Sequence, residues 1–352
     1  MAFVLSRFSG FAIIGPSILI LLSNSAWTAG GAQEPAVDLQ RAVEAGLQAD
    51  AKRSVEILRG LPANAFSGRD ADYRDCVIER FGGDGPPAAG LAYVTDPFTR
   101  GVVDAFHKYW WRVTTQRETP ATAEAALSRQ LASAIDHPET AADRDRLEQL
   151  LKDALDSRGV HVLLGITSPL RELMLWTRED VRTYKVDLPE ETHETKVVIL
   201  DGLMVAGWTD YVTCGRHGAG GWAVADALYA VRARYDDLEG ENFKVTFLGH
   251  ETQHFADLNR FKGLKPWELE YRAKLVEVAQ ADITRARVLQ MFRSNQSDDP
   301  GQQHAYANRR VIVELSRRLG LPPSTDLSTV EPEVLRGAAA AALAADSGTR
   351  SR

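Results

Sequence analysis

The chain has 352 residues, a formal charge of −7, 44% hydrophobic and 25% charged residues, the balance of a globular protein with one large domain or two modest ones. Lys and Arg are dispersed among Asp and Glu, with no basic stripe to neutralise phosphates, which argues against nucleic acid as a partner.

Residues 1–30 read as a secretory signal peptide: Arg7 supplies a positive start, residues 11–22 are apolar, and small Ser, Ala and Gly residues follow. The apolar run is shorter than the roughly 20 residues a membrane span needs, so no stable membrane insertion is expected after cleavage. The mature protein is expected to be secreted or periplasmic. Cys76 and Cys214 are the two cysteines. In an oxidising compartment they are either a disulfide or two small buried thiols, and Cys76 as a cap on a metal is a third reading.

Residues 31–158 form a helical region, with apolar residues at three- and four-residue spacing in Leu39, Ala42, Val43 and Leu47 and again in Leu147, Leu150, Leu151 and Ala154. His107, among Phe106, Tyr109, Trp110 and Trp111, reads as a packed or surface residue and not a ligand. From residue 159 the texture turns to strands, at 160–164, 196–200 and on to 212, interrupted by Pro169 and Pro189. Helical spacing returns at 223–235 and dominates 244–320, while the Ala-rich stretch 336–352 reads as a flexible tail. Helices, then a short sheet, then helices predict an α+β fold.

His250-Glu251-Thr252-Gln253-His254 carries the chemistry. On a helix, His250 and His254 lie on one face and their imidazoles reach one ion. Phe247-Leu248 leads in, and Gly263 and Pro266 end the run. A hydrolytic zinc site keeps three protein ligands and one water, and Glu251 is the residue type that takes the water's proton. For the third ligand the sequence offers Glu268 and Glu270, on a helix that Pro266 opens.

Between about residues 220 and 290 the chain resembles the gluzincin metallopeptidases, in which two His of an HExxH helix are joined by a Glu of a following helix. The form Glu270-Tyr-Arg-Ala273 matches theirs, which implies Glu270 as third ligand and Ala273 as the small residue that lets the helices approach. The resemblance implies a zincin-like domain over 159–335, with a small mixed sheet and active-site helices. Lys274 stands where a thermolysin-like protein carries an Asp that orients a ligand His, so that branch is not implied. Asp257 or Glu277 could take that role, or be surface carboxylates. The Gly-rich stretch 214–222 is either an edge strand that holds extended substrate or a plain turn. Downstream, His304 and Tyr306 are the candidate oxyanion donors, and His304 is taken as the catalytic one.

The expectation is a secreted or periplasmic zinc peptidase acting on peptide or protein substrates, with Zn2+ on His250, His254 and Glu270 and Glu251 as general base. The rival is a non-catalytic extracellular protein that keeps zinc for stability. Glu251 argues against it, since a structural site needs no base.

Overall fold

The computed structural model describes residues 33–87, 90–224 and 226–350. The expected signal peptide lies outside them. The fold is α+β and divides into two compact units, one ending at Glu179 but taking back Leu200–Gly220, the other made of Asp180–Ile199 and the chain from Gly221 onward.

The first unit starts with six helices: α1 (Gln33–Leu47), α2 (Ala51–Arg59), α3 (Arg69–Phe81), α4 (Pro97–Thr114), α5 (Pro120–Ala134) and α6 (Arg144–Asp156). Asp50, Asp96, Thr119 and Asp143 cap four of them by accepting an N–H of the first turn, and Pro97 and Pro120 open α4 and α5 at a position where no N–H is needed. Then come β1 (His161–Thr167), β2 (Leu170–Trp176), β3 (Arg178–Asp187), β4 (Thr192–Asp201), β5 (Val205–Ala206) and a short α7 (Trp208–Val212). Strands β1, β2 and β5 form an antiparallel sheet in that order, with Pro169 in the β1–β2 turn. Their apolar residues share one core with the helices, Leu173, Val205 and Trp208 lying in the same cluster as Phe106, Trp110 and Leu151. Strands β1, β2 and β5, on the far side of the change of texture at 158/159, thus lie in the same compact unit as the helices. The stretch before 212, expected as strand, ends in helix α7. Cys76 on α3 and Cys214 after α7 are disulfide-bonded, with Cα atoms 6.3 Å apart, which removes both the thiol and the metal-cap readings. His107 packs between Trp110 and Tyr211, with ring centroids at 5.6 and 4.5 Å, the packed one of its two expected placements.

Gly207, which precedes α7, has no side chain to cap it, and Glu172 of β2 does so instead: its Oε1 accepts the N–H of Trp208 at 2.9 Å and of Leu173 at 3.0 Å. A Cβ at Gly207 would stand 2.8 Å from that oxygen, and φ there is +94°, so glycine is required. Burial pushes the Glu172 carboxyl up to about 7, against the hydrogen bonds that favour its charge. A folded-state value above the unfolded one means that stability falls as pH rises from about 4.5 to 7, by about 3 kcal/mol. His107, pushed down to about 4 by burial and then by Arg80, acts oppositely in an overlapping window, so the Glu172 contribution is read by comparing a variant with the parent. The stability gained in Glu172→Gln over the parent should therefore grow by about 3 kcal/mol between pH 4.5 and 7.5 in denaturant titrations. A gain independent of pH would refute the assignment.

In the second unit β3 and β4 join β6 (Gly221–Val224) and β7 (Ala227–Val231) in a sheet of order β3-β4-β7-β6. Residues 223–235 were expected to be helical, but 223–224 and 227–231 are strand, paired in β6 and β7 with Trp222 opposite Tyr229, and Arg232–Arg234 form a 3-10 turn. Strand β7 is central and nearly buried throughout, and a short run buried on both faces has no period by which to tell strand from helix. Helices α8 (Glu241–Phe243), α9 (His250–Arg260), α10 (Pro266–Gln280), α11 (Arg285–Ser294), α12 (Gln303–Leu319) and α13 (Pro332–Arg350) follow. The expected flexible tail is in fact α13. Its Leu335, Ala339, Ala342 and Leu343 recur at helical spacing and are buried, and the helix packs on α10 and α12.

Candidate metal centre

Residues 241–260 run as one continuous helical stretch in which a π-helical turn, Lys244–Gly249, separates α8 from α9. Phe243 and Phe247 lie on one side of it, packed at tilted angles against each other, and Tyr235 meets Phe243 edge-on and Phe247 at a tilt. Gly249 lets α9 approach α10, since a Cβ there would stand 2.7 Å from Gln280 Oε1. Thr252 hydrogen-bonds Thr195 of β4 at 3.1 Å and ties α9 to the sheet. The helix stops at Phe261, whose backbone is extended, and Gly263 follows with φ +73°.

Helix α10 begins at Pro266, and Glu268 Oε2 accepts the N–H of Lys265 at 2.8 Å. Glu268 also pairs with Arg350 at 3.0 Å, so it serves the helix start and not the cluster. Helix α10 is buried on nearly all sides, which leaves no amphipathic stripe in its sequence. Glu270, Lys274 and Glu277 follow one another at one-turn spacing along one face.

Among the described residues, His250, His254 and Glu270 form a buried group that could hold a metal ion. His250 Nε2 and His254 Nε2 are 3.2 Å apart, and each is 3.5 Å from a carboxylate oxygen of Glu270. A tetrahedral ion with ligands at about 2.0–2.1 Å has ligand-to-ligand edges of about 3.3–3.4 Å. The separation of the two imidazole nitrogens is close to that figure, and so is each nitrogen's distance to its own Glu270 oxygen, Oε2 for His250 and Oε1 for His254. Charge fits as well: with neutral imidazoles, the buried Glu251, Glu270 and Glu277 against Lys274 leave two negative charges, which a divalent cation offsets.

His250 Nδ1 meets Glu277 Oε1 at 2.6 Å, both groups being buried. Glu277 thus sits where a carboxylate would fix the ring orientation of a ligand histidine, seven residues after Glu270 and so two helical turns on. Asp257, the other candidate, is buried too but pairs with Arg272 at 2.8 Å. Neither is a surface carboxylate. Burial disfavours a charged His250, yet Glu270 and Glu277 overcome it and raise the imidazole to about 10 without an ion, so an incoming cation displaces a proton. Burial would also raise Glu270, but His304 and the two ligand imidazoles hold it well below the carboxylate range. Glu277→Gln should weaken metal binding about 10–100-fold while leaving stoichiometry at saturation unchanged, as chelator competition would read. Unaltered affinity would remove Glu277 from the site.

Glu251 is 1% exposed, is not among the three candidate ligands, and neither of its oxygens has a hydrogen-bond partner among the described residues. Burial raises its pKa, the two imidazoles opposing. His304, at the first turn of α12, brings Nδ1 to 2.8 Å from Glu270 Oε2, off the line of a good hydrogen bond, and its side chain is 35% exposed. Tyr306 packs its ring on Trp267 and does not join the group. Lys274 is buried, 3.8 Å from Glu270 Oε2 and over the ring of Phe292. In the Gly-rich stretch, Gly221 opens edge strand β6, and a side chain there would collide with the Tyr229 carbonyl and the Phe247 ring, so its close approach is internal.

Two residues carried no sequence signal. Tyr235 has a fully buried hydroxyl without a hydrogen-bond partner among the described residues, raised far up by burial and by the Glu251 charge. Arg272, also fully buried, joins Asp257 to Asp346. Comparison of the chain with family models, curated proteins and solved structures finds no match to any of them.

Proposed function

We propose that this chain is an exported zinc-dependent hydrolase that cleaves peptide or amide bonds, in the manner of the gluzincin metallopeptidases its motif resembles. One observation carries the reading: a buried group of two imidazoles and one carboxylate that could hold a metal ion is accompanied, on the same helix turn as the imidazoles, by a second buried carboxylate, Glu251, that is neither a candidate ligand nor hydrogen-bonded among the described residues. Zinc, when bound, supplies Lewis acidity and a water that ionises near neutral pH.

His250, His254 and Glu270 hold the ion, and Glu277 fixes the His250 ring. Glu251 takes the proton of the attacking water and returns it to the leaving amine; its raised pKa suits both halves of that transfer. His304 has one nitrogen at Glu270, which leaves Nε2, on a partly exposed side chain, to donate to the developing oxyanion. Strand β6, at the edge of its sheet, is the element that would align extended substrate by main-chain hydrogen bonds. Export is supported by the apolar segment within residues 1–30 and by the disulfide, a bond of oxidising compartments. Among the described residues no helix is long and apolar enough to cross a membrane.

The test is cleavage of a peptide library by the purified mature protein, with and without a chelator and after zinc is restored. Chelator-sensitive, zinc-restored cleavage is expected. Bound zinc without any cleavage would instead favour a binding or structural protein.

A further inference from the structure

His250 has its carboxylate in Glu277. The matching partner of His254 is not evident, since His254 Nδ1 is buried and without a hydrogen-bond partner among the described residues. A metal-bound imidazole requires an acceptor at its second nitrogen. Asp257 Oδ2 is the other half of the same imbalance, an acceptor buried and equally without a partner. The two residues are three apart on α9, hence neighbours on one helix face, and helical side chains lean toward the N-terminus, which carries the Asp257 carboxylate back over the turn bearing His254. The His254 imidazole also contributes to the field at the Asp257 carboxyl.

The remaining oxygen of Asp257 is held firmly. Oδ1 accepts from Gln253 Nε2 and pairs with Arg272 Nη2, each at 2.8 Å. Arg272 in turn meets Asp346 Oδ2 at 2.8 Å and Ser347 Oγ at 3.0 Å, both on α13, and its guanidinium lies 4.9 Å over the Phe261 ring. Arg350, one turn past Asp346, grips that aspartate and Glu268 at the start of α10. The C-terminal helix is therefore joined to the helix that carries both histidines through the buried Arg272 guanidinium, and a second route runs through Glu190, which accepts from Ser347 Oγ at 2.6 Å and pairs with Arg272 and with Arg260 of α9 at 3.4 Å.

Resting on the zinc reading above, we propose that Asp257 is the positioning residue for His254 and that the C-terminal helix, acting through Arg272, keeps the Asp257 carboxylate directed at that imidazole. A side-chain rotation or one bridging water completes the contact when the ion binds. The segment that looks most dispensable in the sequence then belongs to the support of the metal centre.

The experiment uses the full mature chain as Asp257→Asn and, separately, as the double variant Asp346→Asn with Ser347→Ala. Zinc affinity is read by chelator competition, ligand geometry by the visible absorption of the cobalt(II) form, and stability by unfolding of the metal-free protein. Asp257→Asn should weaken zinc about 10–100-fold and shift the cobalt bands, and the double variant should move both readouts the same way by a smaller amount. In the double variant the loss of affinity should exceed anything that its metal-free unfolding midpoint reports. Unchanged zinc affinity and cobalt spectrum in either variant would overturn the proposal, as would losses that merely track stability. If Asp257→Asn does not fold, the double variant decides alone. A parent protein that takes up no zinc would be a failure of the zinc reading itself, visible before any variant is compared.

Discussion

Replacing Glu251 by Gln should leave zinc bound at the parent's stoichiometry and reduce peptide hydrolysis by about 10²- to 10⁴-fold, the usual contribution of a positioned general base. That loss corresponds to about 3–5 kcal/mol of transition-state stabilisation. Zinc is expected to stay because Glu251 stands outside the group formed by His250, His254 and Glu270. The substitution is isosteric, so the packing around a side chain that is 1% exposed is kept. It also removes a carboxylate that burial makes costly and that no donor satisfies, so the metal-free variant should unfold at a higher denaturant concentration than the parent. Loss of zinc together with activity would make Glu251 a ligand. Hydrolysis at the parent's rate would end its role as base.

Removing the Cys76–Cys214 bond should produce the largest loss of stability. The cysteines are 138 residues apart, and in the chain-entropy account a loop of that length is worth about 5 kcal/mol, an upper figure because the same account overestimates many measured bridges. Other links join the same elements: Arg216 pairs with Asp70 at the start of α3, and Arg80 donates to the Tyr211 carbonyl of α7. They persist in the reduced protein, so the double variant Cys76→Ser with Cys214→Ser should remain folded and lose about 3–5 kcal/mol in denaturant titrations. Its zinc content should match the parent's, since the candidate ligands belong to the other unit. A loss below about 1 kcal/mol would show that the chain-entropy account does not hold for this bridge.

What was readable beforehand has a common physical character. The α+β order follows from a change of hydrophobic period, and the start of α10 follows from Pro266, signals that a dozen residues carry by themselves. His250, His254 and Glu251 were legible for the same reason, because their geometry is set by one helix. Glu270 could be favoured over Glu268 only through a resemblance, since both lie in the first turns of α10 and only packing shows that one enters the cluster while the other caps the helix.

Residues that touch across helices had no local signature. Glu277 and Asp257 could not be told apart as supports, because which carboxylate meets the His250 imidazole depends on how α10 crosses α9. Residues 223–235 show the limit of periodicity, where burial on both faces of β7 erased the alternation that marks a strand. Residues 336–350 show the limit of composition: alanines read as a tail become the packed face of α13 once α10 and α12 stand opposite. The sequence by itself determined the helical pair of histidines with the acid between them, since one helix turn suffices to place them. Only the tertiary structure decided which buried charges surround them, because a charge leaves water only where a partner from a distant segment offsets its desolvation.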